Sequence, residues 1–249
     1  MSKLSTSLGR SGNPALTSEV FNKSITSQGE VMTLQGTVNK TIFSLFLLIA
    51  AGSFTFSAEY SWLIWPGFIG GLIMAIITIF KKEWAPVTVP IYAVLEGLAL
   101  GGVSYIYQEA FFPGIVSQAI LLTVSIFSAL LLAYKTRIIK PTENFKLGVF
   151  AATGGIFLVY VVSVLMSLFG LSMPIMDPSN ASWLSIGFSL FVVVIASLNL
   201  VLDFDFIEEG AEKGAPKYME WYGTFGLLVT LVWLYLEILR LLAKIYSRD

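Results

Sequence analysis

The sequence predicts an all-α membrane protein with seven transmembrane helices. Three observations carry that expectation. The chain of 249 residues is 56% hydrophobic and only 12% charged, with a mean hydropathy of +0.80; a soluble domain carries about 25% charged residues. Seven apolar runs each approach the ~20 residues needed to cross a bilayer core. The lysines and arginines between those runs fall in alternate loops.

Residues 1–39 are polar and rich in Ser and Thr, with Lys3, Arg10 and Lys23. No apolar h-region precedes Thr41, so this stretch reads as a largely disordered cytoplasmic tail and not as a signal peptide. Its end, VMTLQGTVNKT, reads as a short interfacial helix leading into the membrane. Residues 40–249 form the membrane domain. Its apolar segments are Thr41–Ala58, Trp62–Phe80, Pro86–Tyr107, Gly114–Tyr134, Leu147–Leu171, Trp183–Leu202 and Tyr222–Leu242. All are apolar on every side, without the alternation of a barrel strand. Helices follow, because open strands leave backbone groups unpaired in lipid.

Lys81 and Lys82 separate segments two and three. Lys135, Arg137, Lys140 and Lys146 separate four and five, and Lys213 and Lys217 separate six and seven. The other three loops contain no Lys or Arg. The positive-inside rule places the N-terminus in the cytoplasm, so seven spans place the C-terminus outside. Lys244 and Arg248 at that end run against the pattern, and a last segment that dips in and returns is the alternative. Glycines cluster at Gly67, Gly70 and Gly71, at Gly97, Gly101 and Gly102, and at Gly148, Gly154 and Gly155. Such residues let membrane helices approach closely, and bundle packing explains them better than a pore lining does.

Composition excludes much chemistry. The chain has no Cys and no His, which removes disulfides, thiolate metal sites, Ser-His triads and HExxH zinc sites. Gly187-Phe-Ser189 therefore lacks a base for serine protease chemistry, and no GxGD occurs. The expectation is a non-enzyme without a cofactor. A net charge of −1 suggests no nucleic-acid partner. Ser197 and Asn199 are expected to bond between helices.

Charged residues inside the apolar runs are the candidate functional groups, because an acid within hydrocarbon is costly. Glu96 sits mid-segment in IYAVLEGLALGG. It is either a protonated acid bonded to a neighbouring helix or a station on an ion or proton path. Glu237 and Arg240, three apart, share a helix face and can pair locally; Lys244 continues that face. Asp203, Asp205, Glu208, Glu209 and Glu212 follow the sixth run. On a continuing helix Asp205, Glu209 and Glu212 share a face, while Asp203 points elsewhere. Clustered carboxylates suit hard cations, so a transient cation near Asp203 and Asp205 is conceivable, with Asp205 and Glu209 as a rim.

The run ASLNLVLDFDFIEEGAEKGAPKYMEWYGTFGLLVTLVWLYLEILRLLAKI resembles the Bax inhibitor-1 (TMBIM or YccA) family. With MTLQGTVNKT, PIYAVLEGLALG and FKLGVFAATGGI, it is similar to a bacterial branch with a long polar tail. The resemblance covers roughly residues 31–245 and implies six helices around a central seventh. It also implies a proton-sensitive calcium leak channel in the bacterial cytoplasmic membrane. In such proteins a hydrogen-bonded carboxyl pair closes the cytoplasmic side of the pore. By match of LVLDF and LYLEILRLL the pair is Asp203 with Glu237, where the family commonly has Asp at the second position. A basic residue that assists the pair in some members corresponds to Lys81 or Lys82.

The leading expectation is thus a cation leak gated by proton sharing between Asp203 and Glu237. Two adjacent carboxyls in a low dielectric cannot both ionise cheaply, so they titrate as a unit. The alternative is a non-transporting regulator that binds a membrane protease or other membrane protein, with residues 1–39 as the docking segment.

Overall fold

The computed structural model describes residues 30–248; the reading of residues 1–29 as a polar tail lies outside them. Seven helices follow in order: α1 Leu34–Thr55, α2 Ile64–Phe80, α3 Ala85–Ala110, α4 Ile115–Lys135, α5 Glu143–Leu168, α6 Trp183–Glu212 and α7 Met219–Tyr246. Each is long and apolar enough to cross a membrane, α2 and α3 when counted with the 3₁₀ turns that precede them. The chain is an all-α, multi-pass membrane protein. Among the described residues the sole β pairing is an isolated bridge between Val31 and Pro216.

Local chemistry sets the helix ends. Thr33 caps α1 by accepting from Gly36 N, Thr142 caps α5 through Phe145 N, and Ser182 caps α6 through Ser185 N. Each hydroxyl satisfies an N–H left over in a first turn. Gly114 starts α4 with φ +102°, a conformation that favours glycine. Polar residues extend three helices beyond their apolar runs. α1 begins at Leu34 and takes in most of the stretch expected to form a separate interfacial helix. α6 continues ten residues past Leu202 to Glu212. α7 runs unbroken for 28 residues, about 42 Å at 1.5 Å per residue, against a hydrocarbon core of about 30 Å. It is long enough to cross and does not turn back.

The seventh helix is the core. Met219, Tyr222, Leu228, Leu234, Leu239 and Ala243 on it are all buried. α1, α3, α4 and α6 pack most extensively around it, α2 lies against α3, and α5 lies against α6 and reaches α7 through Tyr160. The seventh helix is central, as expected, with α1, α3, α4 and α6 closest to it and α2 and α5 farther out. The reason is visible in the glycines. Gly67 and Gly70 of α2 meet Leu95 and Ala99 of α3, and Gly97 and Gly101 of α3 meet the backbone of α1. The α1–α3–α2 side is thus closed by small residues. Gly148, Gly154 and Gly155 of α5 meet nothing within 4 Å among the described residues, so the packing reading fails for that cluster.

Loops α2–α3, α4–α5 and α6–α7 lie at one end of the bundle, called here the basic end. Loops α1–α2, α3–α4 and α5–α6 lie at the far end with the C-terminus. The far-end bases, which disturbed the charge pattern, have local partners. Lys244, fully buried, donates to Ile175 O, Ser185 O and Ser189 Oγ. The Arg248 guanidinium lies 3.6 Å from the Trp183 ring centroid.

Candidate functional site

The antiparallel register of α6 and α7 decides how their acids meet. Ile207 packs on Gly223 near the basic end, and Lys244 bonds to Ser185 and Ser189 near the far end. Asp203 is therefore level with Leu227, about 15 Å along α7 from Glu237. The two carboxyls expected to form a pair sit at different depths, and Glu237 takes other partners. The polar residues after Asp203 continue α6 to Glu212.

Glu237 is 2% exposed. Its Oε1 accepts from the Tyr160 hydroxyl of α5 and forms an ion pair with Arg240, one turn along α7. The local pairing foreseen for Glu237 and Arg240 is present. Trp233 Nε1 donates to Tyr160 Oη at 3.2 Å. The Arg240 guanidinium carbon lies 5.9 Å from the Tyr160 ring centroid, and Tyr107 of α3 flanks it. Glu237 Oε2 is buried with no hydrogen bond to any described residue. Such an oxygen loses its hydration without full compensation, so the site holds an under-satisfied carboxylate beside a cation. Trp233, Glu237, Arg240 and Lys244 recur every three to four residues and so form one face of α7.

Asp203 is fully buried on α6. Lys82, of the two lysines considered for its partner, turns inward, its Nζ 5.6 Å from the ring centroid of Tyr222 on α7. Lys81 is exposed. Lys82 and Asp203 thus occupy the same end of the bundle, the basic end. Glu96 faces α2: a Cβ at Gly71 would lie 2.8 Å from its Oε2, so the glycine makes room for the carboxylate on the α2–α3 seam.

The acids expected to form a cation-attracting rim are engaged by bases. Asp205 meets Lys146 of α5 at 2.6 Å, Glu209 pairs with Lys213, and Glu208 accepts from Tyr134 and Arg137. Asp205 fastens α6 to α5 and Glu208 fastens it to the end of α4, while the Glu209–Lys213 pair is local to α6. No group of three metal-ligating side chains occurs among the described residues. Asn199 donates to Thr153 of α5 at 2.8 Å, as foreseen, whereas Ser197 bonds back to Val193 O of its own helix.

Sequence reasoning missed Glu220, the most heavily bonded acid of the basic end. Its fully buried side chain accepts from Thr33 N at 2.9 Å and Thr33 Oγ1 at 2.8 Å, and pairs with Lys40. Beside it Met32 N donates to Ala215 O and Lys217 N to Glu30 O. Residues 30–33 are thereby strapped across the α6–α7 loop. The sequence EWYGT offered no hint, since an acid beside Trp and Tyr reads as an interface residue.

Comparison with known families gives the decisive observation: a family model described as Bax inhibitor 1 like matches residues 13–247. The chain belongs to the Bax inhibitor-1-like family. No curated protein matches it. In this Bax inhibitor-1-like protein the buried acids Asp203 of α6 and Glu237 of α7 stand at separate levels of the helix pair.

Proposed function

We propose that this Bax inhibitor-1-like protein is a proton-sensitive cation leak pathway gated at Glu237. The observation that carries the reading is the buried Glu237 carboxylate, held by Arg240 and Tyr160, with Oε2 unbonded among the described residues. An ionisable residue inside a membrane bundle is a pathway candidate by default. When Glu237 is ionised it cancels the charge of Arg240, and a cation meets a neutral constriction. When Glu237 takes up a proton, Arg240 stands uncompensated in a low dielectric and repels cations. Acidification therefore closes the path and alkalinisation opens it. Asp203 serves as a second acidic station nearer the basic end. Calcium is the first ion to test, as the family resemblance implies.

The test is cation flux into proteoliposomes as a function of pH. Wild-type flux should rise with pH. Glu237→Gln, which leaves Arg240 uncompensated at every pH, should give low flux without a pH step. A Glu237→Gln protein with wild-type flux and pH response would sink the reading.

We further propose a bacterial cytoplasmic membrane with the basic end in the cytoplasm. The cysteine-free sequence permits a direct check with single-cysteine variants. In intact cells a membrane-impermeant maleimide should label Ser179→Cys and Arg248→Cys but spare Lys140→Cys until permeabilisation. The reverse labelling would invert the orientation.

A further inference from the structure

A cavity of about 500 Å³ opens between α1, α3, α4 and α7, within the ~300–1,000 Å³ usual for ligand sites. We infer that it takes one acyl chain of a bilayer lipid from the far-end leaflet. The length of the slot is the first argument. On α1 its wall runs from Leu45 to Phe56 and on α4 from Val116 to Phe127, a rise of about 16 Å on each helix. One leaflet contributes about 15 Å of hydrocarbon, half of a ~30 Å core. Phe56 is the C-terminal cap of α1 and Val116 is the second residue of α4, so the slot begins at the interface and ends near the bilayer midplane.

Girth is the second argument. The volume spread over that length makes a narrow slot. A hydrocarbon chain can lie in it. An α-helix, with a diameter of about 10–12 Å including side chains, cannot enter it.

Wall chemistry is the third. The floor is Leu228, Leu231 and Val232 of α7. The hydroxyls along the walls are spent inside the protein: Ser104 bonds Tyr235 at 2.6 Å, Thr123 donates to Ala119 O and Ser53 to Ile49 O. A cation or a polar ligand would find little to coordinate, whereas hydrocarbon can lie against these walls without loss. The rim residues Ile49, Ile120 and Val124 are 60%, 50% and 55% exposed, so the mouth faces the lipid phase. The slot stands on a different face of α7 from the Glu237 cluster and does not depend on the proposed gate.

Photolabelling tests this. The full chain is placed in phosphatidylcholine vesicles containing a trace of the same lipid with a mid-chain diazirine, illuminated and mapped by mass spectrometry. Bulk lipid reaches outward residues such as Leu121 and Leu132, which are 67% and 63% exposed, whereas Leu231 and Val232 on the floor of the slot are each 8% exposed. Adducts on the α7 segment 231–235 are the expected result. Adducts confined to outward residues would overturn the inference, and this wild-type result decides even where a variant is not recovered. Val232→Phe, which fills the slot, should lose the α7 adducts and keep those at Leu132. Undiminished α7 labelling in a folded Val232→Phe protein would equally overturn it.

Discussion

Replacing Arg240 with alanine is expected to destabilise the folded protein by about 3–5 kcal/mol, the usual result of stripping one partner from a buried ion pair. The loss arises because Glu237 keeps its burial and loses its counterion, while its Oε2 already lacks a bond to any described residue. The Arg240 side chain is 21% exposed, which moves the expectation toward the lower figure, since partial solvation weakens the pair. The double variant Glu237→Leu with Arg240→Met should recover most of the loss, because an apolar pair of similar volume has no desolvation cost to offset. Unfolding in mixed micelles with added denaturing detergent measures both. An Arg240→Ala protein within about 1 kcal/mol of wild type, the scale of an exposed pair, would show that the guanidinium does not hold the carboxylate.

Seven helices were legible because hydropathy reports each crossing directly, and the charge of the loops reports which crossings share an end. What hydropathy does not report is a polar extension. Leu34–Lys40 and Asp203–Glu212 are helical without being apolar, so α1 and α6 were read too short. Asp203 was paired with Glu237 by resemblance, and a helix pair can satisfy that only if its register allows. Ile207 against Gly223 fixes the register. The α7 face bearing Glu237, Arg240 and Lys244 was readable, because spacing along one helix is local information. Its partners were not. Tyr160 and Tyr107 arrive from α5 and α3, and tyrosines in such runs read equally as interface anchors. The acceptors for Lys244 at Ile175 and Ser185 are backbone carbonyls, which no residue identity announces.

The glycine clusters carry the same signature in sequence and opposite consequences in structure, so paired substitutions separate them. Gly101→Ala is expected to cost about 3 kcal/mol, the upper part of the range for overpacking a close-fitted site, and Gly101→Leu is expected not to yield folded protein. The added carbon would collide with Gly52 O and Thr55 Oγ1 of α1, and at Gly97 with Leu48 O. Backbone carbonyls cannot swing aside as a side-chain tip can, so α1 as a whole must retreat from α3. That retreat also endangers the Thr55 Oγ1 to Leu98 O hydrogen bond at 2.9 Å, a further loss of about 1 kcal/mol. Gly154→Ala and Gly155→Ala on α5 face open space among the described residues. There only helix propensity operates, and alanine should be neutral or stabilising by up to about 1 kcal/mol. Thermal unfolding of the three alanine variants in one detergent reads the contrast, and the yield of folded Gly101→Leu is scored beside it. Equal losses at Gly101 and Gly155 would mean that α5 packs against the bundle as tightly as α3 does on α1.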